Sequence, residues 1–260
     1  MRRKCALVAG LLLVSVARGI SAAPQDAVIP FATGEWAPYT SERLSGYGAA
    51  TEIVTAACAA AGLRPAFQFV PWKRAEQEVV AGQVFGAFPY FILAERTARA
   101  DLYAYSDALF SAIYYVLYSR KNPATPGPVP FARTEDLKGH TIGVLAGTPI
   151  VTNELDRAGV AYEETTDLND SIRKLELGRV DFVIEDRAVL SASLKALFPD
   201  RLGDFGFLAR PFTSVRTAHL LVSRKYPASA ALLLRFNDGL RVIRLSGALQ
   251  EICRRYSITP

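Results

Sequence analysis

The chain has 260 residues, half of them hydrophobic, with 30 basic and 25 acidic side chains and a formal charge of +5. This is enough apolar material for one large domain or two small lobes, each with a buried core. The positive charge is concentrated at the start: Arg2, Arg3, Lys4 and Arg18 precede an expected cleavage point and no acid does, so +5 falls to +1 without them. With no basic stripe interleaved with aromatics, the composition argues against nucleic-acid binding.

Residues 1–23 read as a signal peptide. A basic n-region, Arg2 to Lys4, precedes an apolar run from Ala6 to Val16 that is too short to span a bilayer. Ile20-Ser-Ala-Ala23 supplies small residues for cutting after Ala22 or Ala23. Cys5 lies before the apolar run, unlike a lipoprotein cysteine. The mature chain keeps Cys58 and Cys253. Export to an oxidising compartment permits a disulfide, whereas their apolar helical surroundings favour buried free thiols. His140 and His219 are isolated, so no metal site is expected.

The periodicity then predicts elements in turn. Val28 to Ala32 is a strand, followed by an aromatic loop, Gly34-Glu-Trp-Ala-Pro-Tyr39. Ala49 to Gly62 is a helix with Ile53, Ala56, Ala57 and Ala60 on one face. A strand over Pro65 to Val70, a helix opened by Pro71-Trp-Lys-Arg and running to Ala81, and a strand over Val84 to Pro89 complete a β-α-β-α-β order. That order predicts a parallel sheet covered by helices. Tyr90 to Ala100 reads as a loop entering a short helix, and Leu109 to Tyr118 as one long apolar β-rich run. Four prolines between Lys121 and Pro130 mark a linker.

A second α/β series follows. Strands are expected at Thr141 to Leu145, Ala161 to Glu164 and Val180 to Ile184, with helices at Gly147 to Ala158, Asn169 to Leu177 and Arg187 to Leu197. The chain closes with a strand over Ala218 to Ser223 and helices over Ala228 to Leu245 and Gly247 to Tyr256. Glu185 and Asp186 fall where the third strand of this series gives out. Ligands of open α/β sheets bind at the carboxyl ends of strands, so an acid there is a candidate partner for a cationic group. The same acids can instead be solvated, or open the next helix as N-cap and first-turn residues.

Motifs for catalysis are thin. Gly143-Val-Leu-Ala-Gly147 lacks the Lys-Ser/Thr of a P-loop, and no nucleophile elbow is present. A binding set is more coherent. Trp36, Trp72, Tyr90, Arg96, Thr148 and Asp186 each stand just past or near the end of an apolar run. Arginine grips a carboxylate with two parallel N–H bonds. The amides of Gly147 and Thr148 open a helix and add anion-binding donors. Asp186 offers the opposite charge to an ammonium, and the tryptophans offer flat apolar walls. Each residue also has an ordinary structural explanation: packing for Trp36, Trp72 and Tyr90, a surface pair for Arg96, an N-cap for Thr148.

Taken together the motifs resemble the periplasmic solute-binding proteins of ABC importers, in the polar amino-acid-binding branch (extracellular solute-binding protein family 3). The likeness is carried by Trp36-Ala-Pro-Tyr39, Glu52-Ile-Val, Pro71-Trp-Lys-Arg74, Leu137-Lys-Gly139 with Ile142-Gly-Val-Leu-Ala-Gly-Thr148, Gly178-Arg-Val-Asp181 through Asp186, and Ser246-Gly-Ala-Leu-Gln250. It implies an α/β type II periplasmic binding fold: lobe one over 24–112 and 213–260, lobe two over 113–212, hinges near Tyr114 to Tyr118 and Ala209 to Arg216, and a ligand cleft between. It also implies a non-enzymatic periplasmic monomer without cofactor or metal, holding an amino acid or related small molecule and delivering it to an inner-membrane ABC permease. Arg96, with Arg99 as the alternative, would hold the ligand carboxylate, and Asp186 the amine. Pro149 departs from the family, standing where a hydroxyl residue is usual, and Pro89 and Phe91 replace small serines. A bulkier or more apolar guest is therefore expected. A dehydratase-like enzyme using Glu185 or Asp186 on the same fold, and a ligand-sensing domain, are the two rivals.

Overall fold

The computed structural model describes residues 28–93, 101–122 and 128–260. The expected signal peptide therefore lies outside the described residues, as do parts of the expected short helix after Tyr90 and of the proline-rich linker.

Two sheets organise the chain. The first contains β1 (Val28–Thr33), β2 (Arg64–Phe69), β3 (Gly86–Phe91), β4 (Tyr103–Tyr105), β5 (Phe110–Ala112) and β11 (Arg216–Ser223). Their order is β2-β1-β3-β11-β4, with β5 also pairing β11. β1 runs parallel to β2 and β3, as the alternating pattern predicts, whereas β11 inserts antiparallel to β3 from the far end of the chain. Helix α1 (Ala49–Ala60) buries Ile53, Val54, Ala57 and Cys58. It packs on α6 (Ser229–Leu245) and α7 (Ala248–Tyr256), and α2 (Trp72–Ala81) packs on β11. Phe31, Phe85 and Phe88 are fully buried here and meet edge to face. Burying each such ring contributes about 2 kcal/mol.

The second sheet contains β6 (Tyr114–Ser119), β7 (Ile142–Leu145), β8 (Tyr162–Thr165), β9 (Phe182–Asp186) and β10 (Phe205–Phe207), in the order β10-β6-β9-β7-β8. Helices α3 (Pro149–Ala158), α4 (Leu168–Glu176) and α5 (Arg187–Leu197) connect or follow its strands. β9 is central and buried along its whole length, which explains its unbroken apolar start.

The chain passes between the sheets twice, at Ile113 and over 208–215. The two passages are tied together: the Phe212 amide donates to the Tyr114 carbonyl at 2.8 Å, and the Leu208 amide to the Val116 carbonyl at 2.9 Å. No helix among the described residues is long and apolar enough to cross a membrane.

Several expectations need correction. Leu109 to Tyr118 is not one strand. It breaks at Ile113, its first part pairing with β11 and its second with β9. β3 runs on through Tyr90 and Phe91, where a loop was expected. β9 reaches Asp186 instead of ending at Ile184, so both acids belong to the strand. β4 and β10 are three-residue strands with no distinct local signal. Cys58 and Cys253, by contrast, are free and buried, as their apolar helical surroundings favoured. Burial pushes their thiols up to about 12 and about 11, so neither is a nucleophile at neutral pH.

Candidate functional site

A cavity of about 370 Å³ opens between the two sheets. From the side of the first sheet come Trp36, Trp72, Pro89, Tyr90 and Phe91, from the crossing segment Tyr114, and from the second sheet Leu145, Gly147, Thr148, Pro149 and Ile150. Lys73, Glu76, Thr152 and Glu164 are its polar fringe.

The aromatic wall is built by local chemistry. After β1 the chain folds back on itself: the Trp36 amide donates to the Thr40 carbonyl at 2.7 Å, and the Thr40 hydroxyl to the Gly34 carbonyl at 2.7 Å. This tight loop stacks Trp36 on Tyr39 at 4.3 Å between centroids, and Tyr39 on Phe110 at 4.5 Å. Trp72 begins α2 and meets the edge of Tyr90 at 6.0 Å, while the Tyr90 hydroxyl donates to the Trp72 carbonyl at 2.8 Å. Gly34 permits this arrangement, because a Cβ there would lie 2.6 Å from the Trp72 ring. Gly34→Ala is expected to push that ring off the wall and lower stability by about 1–3 kcal/mol. Tryptophan emission and the melting temperature check it; a variant matching the parent in both would contradict the geometry.

On the opposite wall, Thr148 precedes α3, its hydroxyl makes no cap hydrogen bond, and Pro149 takes the first helical position. A Cβ on Gly147 would meet nothing within 4 Å, so the backbone here faces open space. Pro149 has neither a hydroxyl nor an N–H, so it offers an anion no donor at this helix start.

Asp186 is placed differently. It is 3% exposed and does not line the cavity. Its Oδ1 accepts from the Tyr39 hydroxyl at 3.0 Å and from the Ala188 and Val189 amides at 2.9 and 3.3 Å. Its Oδ2 accepts from the Ile113 amide at 3.1 Å. It is the N-cap of α5 and a clasp joining the second sheet to the first and to the crossing segment. The N-cap alternative read from the sequence is the one this geometry realises. Burial raises its carboxyl above the ordinary value against those hydrogen bonds.

Glu185 lies beside it, 0% exposed. Its Oε1 accepts from the Asp186 amide at 2.7 Å and from the Trp36 indole Nε1 at 3.3 Å, and its Oε2 is buried with no hydrogen-bond partner among the described residues. Desolvation pushes this carboxyl from 4.5 up to about 8, so it is largely neutral at pH 7. Burial first, and the two acids second, hold the Tyr39 and Tyr114 hydroxyls well above their usual value.

The structure thus brings together Trp36, Trp72, Tyr90, Gly147 and Thr148, and sets Asp186 behind the wall. Arg96 and Arg99 lie outside the described residues. Sequence reasoning did not single out Lys73 or Glu164 as cleft residues, placed Tyr114 only at a hinge, and noted Phe91 only as a departure from small serines. Tyr114 and Phe91 sit in apolar runs with no mark of exposure, and Glu164 looks like any acid on a strand.

Two α/β lobes, joined by two crossing segments and facing each other across a cavity, constitute a type II periplasmic binding fold. Solved structures of that architecture superpose on nearly the whole chain. A histidine kinase sensor domain with similarity to periplasmic binding proteins aligns with a TM-score of 0.75 at 19% identity, over 90% of this chain and 98% of that one. The GluR0 ligand-binding core from Nostoc punctiforme, in complex with L-glutamate, aligns at 0.72 and 15%, over 88% and 98%. The arginine-, lysine-, histidine-binding protein ArtJ from Geobacillus stearothermophilus aligns at 0.69 and 20%, over 90% and 97%. No family model and no curated protein matches the chain. At these identities the likeness establishes the fold.

Proposed function

We propose that this chain is the periplasmic solute-binding component of an ABC-type importer, taking a small amino acid or related polar carboxylate between its lobes. The observation that carries this reading is a cavity whose one wall is aromatic and whose other wall is the start of α3, with the Thr148 hydroxyl uncommitted to a cap. A ring or apolar chain packs on Trp36, Trp72 and Tyr90, and a carboxylate meets Gly147 and Thr148 at the helix N-terminus. Arg96, or Arg99, would add the guanidinium clamp. Glu164 is the acid on the second-sheet wall that is open to an ammonium: it is exposed, with no hydrogen bond or ion pair among the described residues. Asp186 acts through the clasp that positions the wall.

Mass spectrometry of co-purifying small molecules, followed by a thermal-shift screen of amino acids and small carboxylates, tests the reading. A ligand at a hundredfold its Kd is expected to stabilise the protein by about 2.7 kcal/mol. A screen in which no member shifts the transition would count against it. A second reading, a ligand-sensing domain, is favoured by the likeness to the histidine kinase sensor domain. Co-purification with a permease separates the two.

A further inference from the structure

Glu185 has an environment that the binding reading does not use. The carboxyl is covered from both lobes. It sits on β9 of the second sheet, and the indole that caps it belongs to the loop after β1. That same indole is part of the cleft wall. One carboxyl oxygen accepts two hydrogen bonds, whereas the other is buried and accepts none from the described residues.

Beyond those two donors, the titratable groups around Glu185 among the described residues bring no positive charge to it. Asp186 is its neighbour on β9, Tyr39 comes from the loop after β1, and Tyr114 from β6. All three are acids or phenols. Tyr115, its register partner on β6, carries the Arg187 guanidinium on its ring, 5.1 Å from the centroid, with the Phe207 ring on that cation as well. No cation among the described residues forms an ion pair with Glu185 or Asp186.

We propose that Glu185 couples the spacing of the two lobes to a single proton: with the carboxyl neutral the lobes stay clasped over it, and loss of the proton drives them apart. A carboxylate in this position has one oxygen without any donor and a second acid beside it, and both penalties fall only when water enters. Ionisation also strengthens the Trp36 hydrogen bond, but one contact at 3.3 Å replaces little of the lost hydration. Among the described residues, the first lobe's hydrogen bonds to these two acids come from Trp36 and Tyr39, so separation there is the route by which water arrives. Because Trp36 faces the cleft, the wall and the proton move together. Burial first, and the Asp186 charge after it, raise the titration to about 8, the range where such a switch operates.

The test is ligand-free and does not depend on what the cleft holds. The protein has two tryptophans, so a Trp72→Phe background makes emission report Trp36 alone. Emission and the radius of gyration from small-angle scattering are followed from about pH 6 to about pH 10. The expected result is a one-proton transition centred at about 8, with a red-shifted emission and a larger radius on the alkaline side, absent in Glu185→Gln. A constant radius overturns the proposal even where emission changes, and so does a transition that persists in Glu185→Gln. Should the Gln variant not fold, the radius of the parent protein across the titration still decides.

Discussion

Asp186→Ala is expected to destabilise the ligand-free protein by at least about 3 kcal/mol, combining roughly 1 kcal/mol for a lost N-cap with about 1–3 kcal/mol for each buried donor left without an acceptor. The donors are named by the geometry. The amides of Ala188 and Val189 lose their cap, and the Ile113 amide and the Tyr39 hydroxyl lose the acceptor that joins the lobes. For a chain of this size the melting temperature should fall by roughly 6–12 °C. Circular dichroism melts of parent and variant without ligand check this. Asp186→Asn, which keeps one carbonyl oxygen, should fall between them. The comparison also separates two roles. An acid held in reserve for a ligand's ammonium would leave apo stability unchanged or improved when removed, because nothing in the empty protein would depend on it. A melting temperature for Asp186→Ala equal to the parent's would restore that role and remove the clasp.

The second large effect concerns pH. Glu185 holds its proton up to about 8 in the folded protein, whereas an unfolded chain releases it near 4.5. Between those values the native state binds more protons than the denatured state, so stability must fall as pH rises. The contribution is fully present below about 4.5 and is lost by about 8. Its size follows from the shift at 1.36 kcal/mol per unit and is on the order of 5 kcal/mol. Other carboxylates titrate in the lower part of this range, so the informative quantity is the difference between parent and Glu185→Gln. Denaturant unfolding at a series of pH values should show the parent losing stability toward alkaline pH more steeply than the variant. Parallel curves would mean that the buried carboxyl does not titrate in this window.

Both effects arise from residues that the sequence marked for another reason. The run ending in Ile184-Glu-Asp186 announces a buried strand with two acids at its end. Nothing in it says that the strand extends two residues further and draws both side chains into the interior. That depends on β6 pairing along it, Tyr114 opposite Asp186 and Tyr115 opposite Glu185, and on the Trp36 and Tyr39 loop arriving from the other sheet. The break at Ile113 is of the same kind. An apolar run has the same appearance whether it pairs in one sheet or two, because period and propensity describe a segment and not its partner.

What the sequence alone determined was the α/β class, the alternation that makes parallel pairs, most helix and strand positions, and Trp36, Trp72, Tyr90 and Gly147 among the residues that line the cavity. These follow from local physics: the period of burial, glycine at helix ends, proline at helix starts. The tertiary structure decided which acids face the cleft and which are withdrawn from it, where the chain crosses between lobes, and which indole is shared by the wall and the hinge. Those are questions of long-range pairing and of desolvation. A carboxylate's role is set by the donors folded around it, and in this chain local amides cap the two acids while the Ile113 amide, the Tyr39 hydroxyl and the Trp36 indole reach them from 73 to 149 positions away.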